Sequence, residues 1–379
     1  MQRHVERALL AATALAVTGA LTASTANAET TGGDAAGAAE AAVPVLDVPA
    51  PGGGFATGTT RLHLVDEGRE DPWVPGTDRE LMVTMWYPTA ETDGPTAPYM
   101  SPEEGALFGA QLNLPGELLS SVTTNSVADA EPLADDGTLP LVILSPGFSF
   151  PRATLTGLAE EFASNGYAVA AVGHNYEAPI TFPDGRTTEC LACDMDNVDE
   201  VARTRGTDLS FVLDELTGDD PAWDDAGVID ADRVAVGGHS IGGAGSHRAM
   251  AADDRFDAGF NLDGTFFALD PHKLDRPFMM VGAEVHGQPG EDKSWDKAWE
   301  KLRGWKRWIT VDGTTHSSLT DFGPLGEQAG QNADELDGYR ANEIARALIV
   351  GFVDAHLRGE TEPVLDPSTD WPELEFHKY

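Results

Sequence analysis

Basic residues are scarce in this sequence. The 379 residues hold 24 Lys+Arg against 63 Asp+Glu, a formal net charge of -39, and only six of the 24 are lysine. A chain so poor in cations can spare no surface to neutralise phosphates, which excludes nucleic acid as a partner. It gains nothing from an anionic lipid surface either. Cysteine is nearly absent: Cys190 and Cys193 are the only two. With no second C-x-x-C, a zinc site built on such pairs is excluded. A long apolar run occurs only at the N-terminus. Yet 41% of the residues are hydrophobic and 23% charged, the composition of a globular chain and not of a disordered one.

The N-terminal run reads as a secretory signal. Arg3 and Arg7 precede the apolar stretch from Ala8 to Leu21, and Ala26-Asn27-Ala28 supplies a small-x-small cleavage site. The apolar stretch falls short of the ~20 residues that a membrane span needs, so no stable membrane anchor is expected. Cleavage after Ala28 removes two Arg and one Glu, leaving 22 basic and 62 acidic residues and a net charge of -40. Export makes disulfides possible. Cys190 and Cys193 sit in a polar loop and not at a strand-to-helix junction, so a structural disulfide is expected there and not a redox pair. Residues 29–58, rich in Ala, Gly and Pro, read as a disordered tether, and residues 59–379 as one large domain.

Within that domain strand-like and helix-like runs alternate. Strands are expected at 81–87, 141–144, 167–172, 234–236, 259–262, 278–281 and 308–311. Several are apolar on both faces, which places them in a parallel sheet covered by helices. Helices are expected at 154–164, 199–216 and 337–358, the first and last stopped by Gly166 and Gly359. The alternation implies an α/β fold, with a mostly parallel central sheet flanked by helices. Residues 92–138, between the second and third strands, break it with Pro, Gly, Ser and Asp. They form either a lid or a surface insertion.

One segment carries chemistry. Gly238-His239-Ser240-Ile241-Gly242 follows the apolar strand Val234-Ala235-Val236 and opens a small-residue helix. That context makes G-x-S-x-G a nucleophile elbow, with Ser240 held at a sharp turn. A serine hydroxyl needs a base. His316, on the loop after the last strand, stands where the order Ser, acid, His puts it. The acid is either Asp263, at a strand end before Gly264, or Glu284, after the following strand. Asp263 is preferred for its setting. The oxyanion needs N–H donors. The backbone N–H of Ile241 is one, and that of Phe148, in Ser145-Pro146-Gly147-Phe148-Ser149, is the other candidate. Gly147, His239 and Phe266 are candidates for the pocket wall. The acidic run Asp194–Asp199 lacks the glycine of an EF-hand loop, and no metal or other cofactor is expected.

These pieces resemble the platelet-activating-factor acetylhydrolase family of the α/β-hydrolase superfamily. The resemblance rests on Met85-Trp86-Tyr87-Pro88, Leu144-Ser145-Pro146-Gly147-Phe148, the elbow with Gly243-Ala244, Leu262-Asp263-Gly264, and Gly313-Thr314-Thr315-His316-Ser317-Ser318-Leu319-Thr320-Asp321-Phe322. It spans roughly residues 60 to 358. It implies the α/β-hydrolase fold, with Ser240 as nucleophile, Asp263 as acid, His316 as base, and Phe148 and Ile241 as oxyanion donors. Pro146 stands where that family often has histidine, and Gly264-Thr265 replaces an aromatic, which alters the pocket wall. The expectation is a secreted, monomeric serine esterase acting on a small-molecule ester or lipid: short-acyl esters, or acetyl and oxidised phospholipids. A polyester or general lipase-type hydrolase is the alternative within the class. A non-catalytic ligand-binding protein on the same fold is the alternative outside it.

Overall fold

A computed structural model describes residues 45–377. The expected signal and residues 29–44 of the expected tether lie outside the described residues. In chain order the elements are β1 (Ala56–Glu70), β2 (Asp78–Thr89), α1 (Pro102–Leu112), β3 (Val127–Ala128), β4 (Leu139–Ser145), α2 (Thr156–Ser164), β5 (Ala168–His174), the short hairpin β6 (Ile180–Thr181) and β7 (Thr187–Thr188), α3 (Val198–Thr217), β8 (Ile229–His239), α4 (Ile241–Ala252), β9 (Ala258–Leu262), β10 (Phe278–Ala283), α5 (Lys293–Lys301), β11 (Lys306–Val311), α6 (Phe322–Gln328), α7 (Gly338–Val353) and β12 (Leu374–Phe376).

Ten strands form one sheet in the order β12-β11-β10-β9-β8-β4-β5-β2-β1-β3. The six from β11 to β5 run parallel, and β2 and β12 pair antiparallel at their flanks. The parallel strands are buried on both faces, as their uninterrupted apolar sequences predict. On one face Ile143, Val236 and Met280 meet Leu209 and Val212 of α3 and Trp295 of α5. On the other, Val142, Ala235 and Val281 meet Phe162 of α2 and Ile344 and Phe352 of α7. The chain moves from β4 to β5 on one side, then returns to place β8 on the other. The carboxyl ends of β4 and β8 therefore flank a topological switch point, where open α/β sheets hold their ligands.

The expected helix at 337–358 runs as α7 and ends in a wider turn over Asp354–Arg358, with Gly359 at φ 73°. One expectation needs correction. Residues 45–58 are not a tether. Leu46 and Val48 are buried, the Val48 amide donates to Thr123 O at 2.9 Å, and Asp47 exchanges hydrogen bonds with the Gln328 side chain. The 92–138 insertion has structure of its own. Ser101 and Glu104 form a capping box that starts α1. Phe108, Leu112, Leu118 and Leu119 then bury themselves with Leu46, Val48 and Phe150 in a cluster of their own.

Candidate active site

The turn from β8 into α4 sets the backbone of Ser240. Ser240 has φ 55° and ψ -126°, a conformation that a non-glycine residue holds only when its surroundings enforce it. Enforcement comes from Ser240 N–H, which donates to Leu262 O at 2.8 Å, and from close packing on β4. A Cβ on Gly238 or Gly242 would lie 2.2 or 2.0 Å from Ser145 O, so the two glycines of the motif are required by space.

His316 and Asp263 complete a line. Ser240 Oγ lies 2.9 Å from His316 Nε2, and His316 Nδ1 lies 2.6 Å from Asp263 Oδ2. With Nδ1–H donating to the carboxylate, the free Nε2 faces the serine hydroxyl. Asp263 follows β9, is buried, and also accepts the Ala283 amide at 2.7 Å on Oδ1. Burial would raise its pKa. The charges and hydrogen bonds of His286 and His316 outweigh burial and hold it far below the usual carboxylate range. Glu284 plays no part in this line: its Oε2 accepts the Gly313 amide at 2.8 Å.

The three side chains open on a cavity of about 430 Å³, bordered also by Gly147, Phe148, His239 and Ile241. Among the described residues, the Phe148 and Ile241 amides have no acceptor and remain free to donate. Val198, Phe267 and Val285 supply an apolar wall. Phe266 does not, which corrects its assignment to the pocket: it packs in the core against His247, Phe278 and Trp295. The next residue, Phe267, faces the cavity instead. His239 donates from Nε2 to His316 O at 2.7 Å, and its buried Nδ1 has no partner. Burial, reinforced by His316, lowers its pKa to about 3, so His239 is neutral and holds the His316 backbone from behind.

Two groups escaped the sequence reading. His286 places Nδ1 2.9 Å from Asp263 Oδ1 and Nε2 2.9 Å from Asp292 Oδ2, so both nitrogens face carboxylates. Although burial opposes the charge, Asp263 and Asp292 push its pKa up to about 10. The loop Ser145–Ser149 is clamped from within. Fully buried Arg205 donates to the carbonyls of Pro146 and Gly147, and its Nε donates to Glu177 Oε2 at 2.7 Å. The Ser149 amide in turn donates to Glu177 O. Only the fold brings these partners together. The one local hint was that His286 follows β10 closely.

Cys190 and Cys193 are joined in a disulfide, with Sγ–Sγ 2.00 Å, and neither borders the cavity. Among the described residues, one group of side chains could hold a metal ion, Asp354, Glu360 and Glu362, and none of it borders the cavity. No helix among them is long and apolar enough to cross a membrane.

The comparisons agree with this architecture. A ferulic acid esterase from Streptomyces cinnamoneus, a solved structure, superposes with TM-score 0.81 at 42% identity, covering 88% of this chain and all of that one. A probable 1-alkyl-2-acetylglycerophosphocholine esterase of Arthroderma benhamiae is 24% identical across 87% of this chain and 93% of its own length. The platelet-activating factor acetylhydrolase of Cavia porcellus is 27% identical across 72% and 71%. The profile of the family platelet-activating factor acetylhydrolase, isoform II, matches residues 67–189 and 224–362, well over half of the sequence, and the chain belongs to that family of α/β-hydrolases.

Proposed function

We propose that this protein is a secreted serine esterase that cleaves carboxylic esters through Ser240, His316 and Asp263 and an acyl-enzyme intermediate. The observation that carries the reading is the unbroken line from Ser240 Oγ through His316 to buried Asp263 at the floor of an apolar cavity. His316 takes the hydroxyl proton as Ser240 attacks the ester carbonyl. Asp263 holds the Nδ1–H tautomer and stabilises the imidazolium that forms. The amides of Phe148 and Ile241 receive the oxyanion. The tetrahedral intermediate collapses when His316 gives its proton to the departing alcohol oxygen. Water, deprotonated by the same histidine, then releases the acid and restores Ser240.

The acyl group is assigned to the wall formed by Phe148, Val198, Phe267 and Val285. That wall accepts a short acyl group. Its two aromatic rings, and the likeness to a ferulic acid esterase, also favour an aromatic acyl group. Export is supported by the Cys190–Cys193 disulfide and by the N-terminal signal pattern. The test is stoichiometric labelling by an organophosphonate together with hydrolysis of p-nitrophenyl acetate and methyl ferulate. Ser240→Ala should abolish labelling and lower kcat by at least about 10⁴-fold. Undiminished turnover by that variant would refute the mechanism, and the ratio of the two substrates ranks the acyl groups.

A further inference from the structure

A second depression adjoins the triad cavity and has no role in the chemistry above. Its volume is about 120 Å³, and it is lined by Leu112, Leu114, Leu118 and Leu119 of the 92–138 insertion, and by Phe322 and Leu325 of α6. Phe150 and Thr315 border both this groove and the triad cavity, which sets the two side by side. Phe150 packs on Phe322 at 5.3 Å and on His239 at 6.0 Å between ring centroids, forming the partition between them. Thr315, Ser317 and Ser318, the neighbours of the base, form one rim, pinned by Thr315 Oγ1–H donating to Asp334 Oδ1 at 2.6 Å.

We infer that this groove binds the apolar alkyl chain of the alcohol half of the ester, the half that leaves. The inference rests on the esterase reading and extends it to one side of the substrate. Proton accounting gives the side. When the tetrahedral intermediate breaks, the bond from the former carbonyl carbon to the alcohol oxygen is cleaved. The proton on His316 Nε2 moves to that oxygen. The oxygen must therefore lie within hydrogen-bond reach of His316, and the chain attached to it departs past the histidine's own loop. The groove opens beside that loop, at Thr315. The acyl group stays on Ser240 with its oxygen toward Phe148 and Ile241, and the wall of Val198, Phe267 and Val285 is left to it. The one carboxylate on the lining, Asp334, already accepts hydrogen bonds from Thr315 and Ser318 at the rim. The remaining wall is mostly leucine and phenylalanine and the volume equals about four waters, so a short unbranched alkyl chain is the occupant.

The test compares two ester series on the full-length enzyme by pH-stat: n-alkyl acetates from ethyl to octyl, and ethyl esters of acids from acetate to octanoate. In the first, kcat/KM should rise about threefold per methylene over the first few carbons and then level off. Gly326 lines the groove, and a Cβ placed there meets nothing nearer than Asn332 N at 4.0 Å. Gly326→Leu should therefore fill the groove and bring the hexyl-to-ethyl acetate ratio close to one. Ala329→Leu, also on the lining, serves if the first variant folds poorly. A ratio untouched in folded variants, or a chain-length effect that appears in the acyl series and is lost there on filling the groove, overturns the assignment while leaving the esterase intact. Failure of both series together with absence of phosphonate labelling would instead refute the esterase reading itself.

Discussion

His286→Gln tests whether the second histidine on Asp263 tunes the first. In the wild type the His286 and His316 rings are 6.4 Å apart, and both donate to the same carboxylate. A cation at that distance opposes a second proton on the base by about 2.6 kcal/mol at an effective dielectric of 20, and by about 0.6 kcal/mol in bulk water. The His286 side chain is 31% exposed, which places the interaction between these limits. The other groups facing His286 are Asp292, Thr265 and Trp295, and none adds a competing positive charge. The sign follows. Removing the cation, and one hydrogen bond to Asp263, makes the protonated base easier to form. Protonated base is inactive, so the acid limb of log kcat/KM should move to higher pH. The wild type keeps this cation over the neutral range, because its pKa of about 10 lies above it. The assay is p-nitrophenyl acetate hydrolysis from pH 4 to 9, with circular dichroism to confirm folding. An acid limb that stays in place, or moves downward, in a folded variant refutes the coupling.

Four further outcomes are expected. Asp321 is buried, accepts hydrogen bonds from Gly157 N–H and Tyr99 O–H, and has its pKa pushed up to about 7 by burial. A folded pKa above the unfolded one gives stability that is full below about pH 4 and lost as pH rises through 7. Asp321→Asn should thus gain on the wild type between pH 5 and 8, by up to about 4 kcal/mol in urea melts; a pH-independent difference contradicts this. Arg205→Lys keeps a charge but cannot reach the Pro146 and Gly147 carbonyls and Glu177 together, so kcat should fall about 10- to 100-fold with little change in KM. An effect confined to KM would remove Arg205 from oxyanion-loop positioning. Replacing both Cys190 and Cys193 by Ser should cost at most about 2 kcal/mol, since the closed loop is short, and should leave kcat/KM unaltered; lost activity would give the pair another role. In molar NaCl, where the Debye length is about 3 Å, self-repulsion of the acidic surface is screened. Tm should hold or rise, and precipitation or inactivation would contradict this.

What was legible in the sequence was what local sterics dictate. Gly238 and Gly242 announce the elbow because no other residue fits against Ser145 O. The parallel strands announce themselves because burial on two faces leaves no room for alternation. β1 was missed for the converse reason. It lies near the sheet edge, and its exposed positions carry His63, Val65, Glu67 and Glu70, so no apolar run marks it. The start of α1 carried a readable capping box in Ser101 and Glu104, concealed by the glycines and prolines around it. Phe266 and Phe267 were exchanged because their roles turn on one residue of phase in an irregular loop. The contacts of His286 and Arg205 lay beyond reach. Their partners stand 23 and 28 residues away for Asp263 and Glu177, and 59 for Pro146, distances that only the folded sheet closes.

The scarcity of cations gains a physical meaning from where the arginines lie. Arg79 and Arg205 are fully buried, among Asp71, Glu177 and Asp208. Arg69 reaches the same Asp208 at 2.7 Å and Asp66 at 2.8 Å, so three arginines face four carboxylates. Nearly all of the chain's acidic excess therefore lies outside this cluster. Two routes lead from Arg79 to the loop that carries the Phe148 amide: through Asp208 and His174 to Ser145 Oγ, and through Glu177 and Arg205 to the carbonyls of Pro146 and Gly147. Each junction on the second route asks for a planar fork that donates in several directions at once, which guanidinium provides and ammonium does not. Taking either arginine away would strand a buried carboxylate, at about 3–5 kcal/mol. Two of the few arginines of an acidic protein are thus committed to holding the loop that carries the Phe148 amide, while the surface keeps a negative charge that repels anionic solutes more than neutral ones.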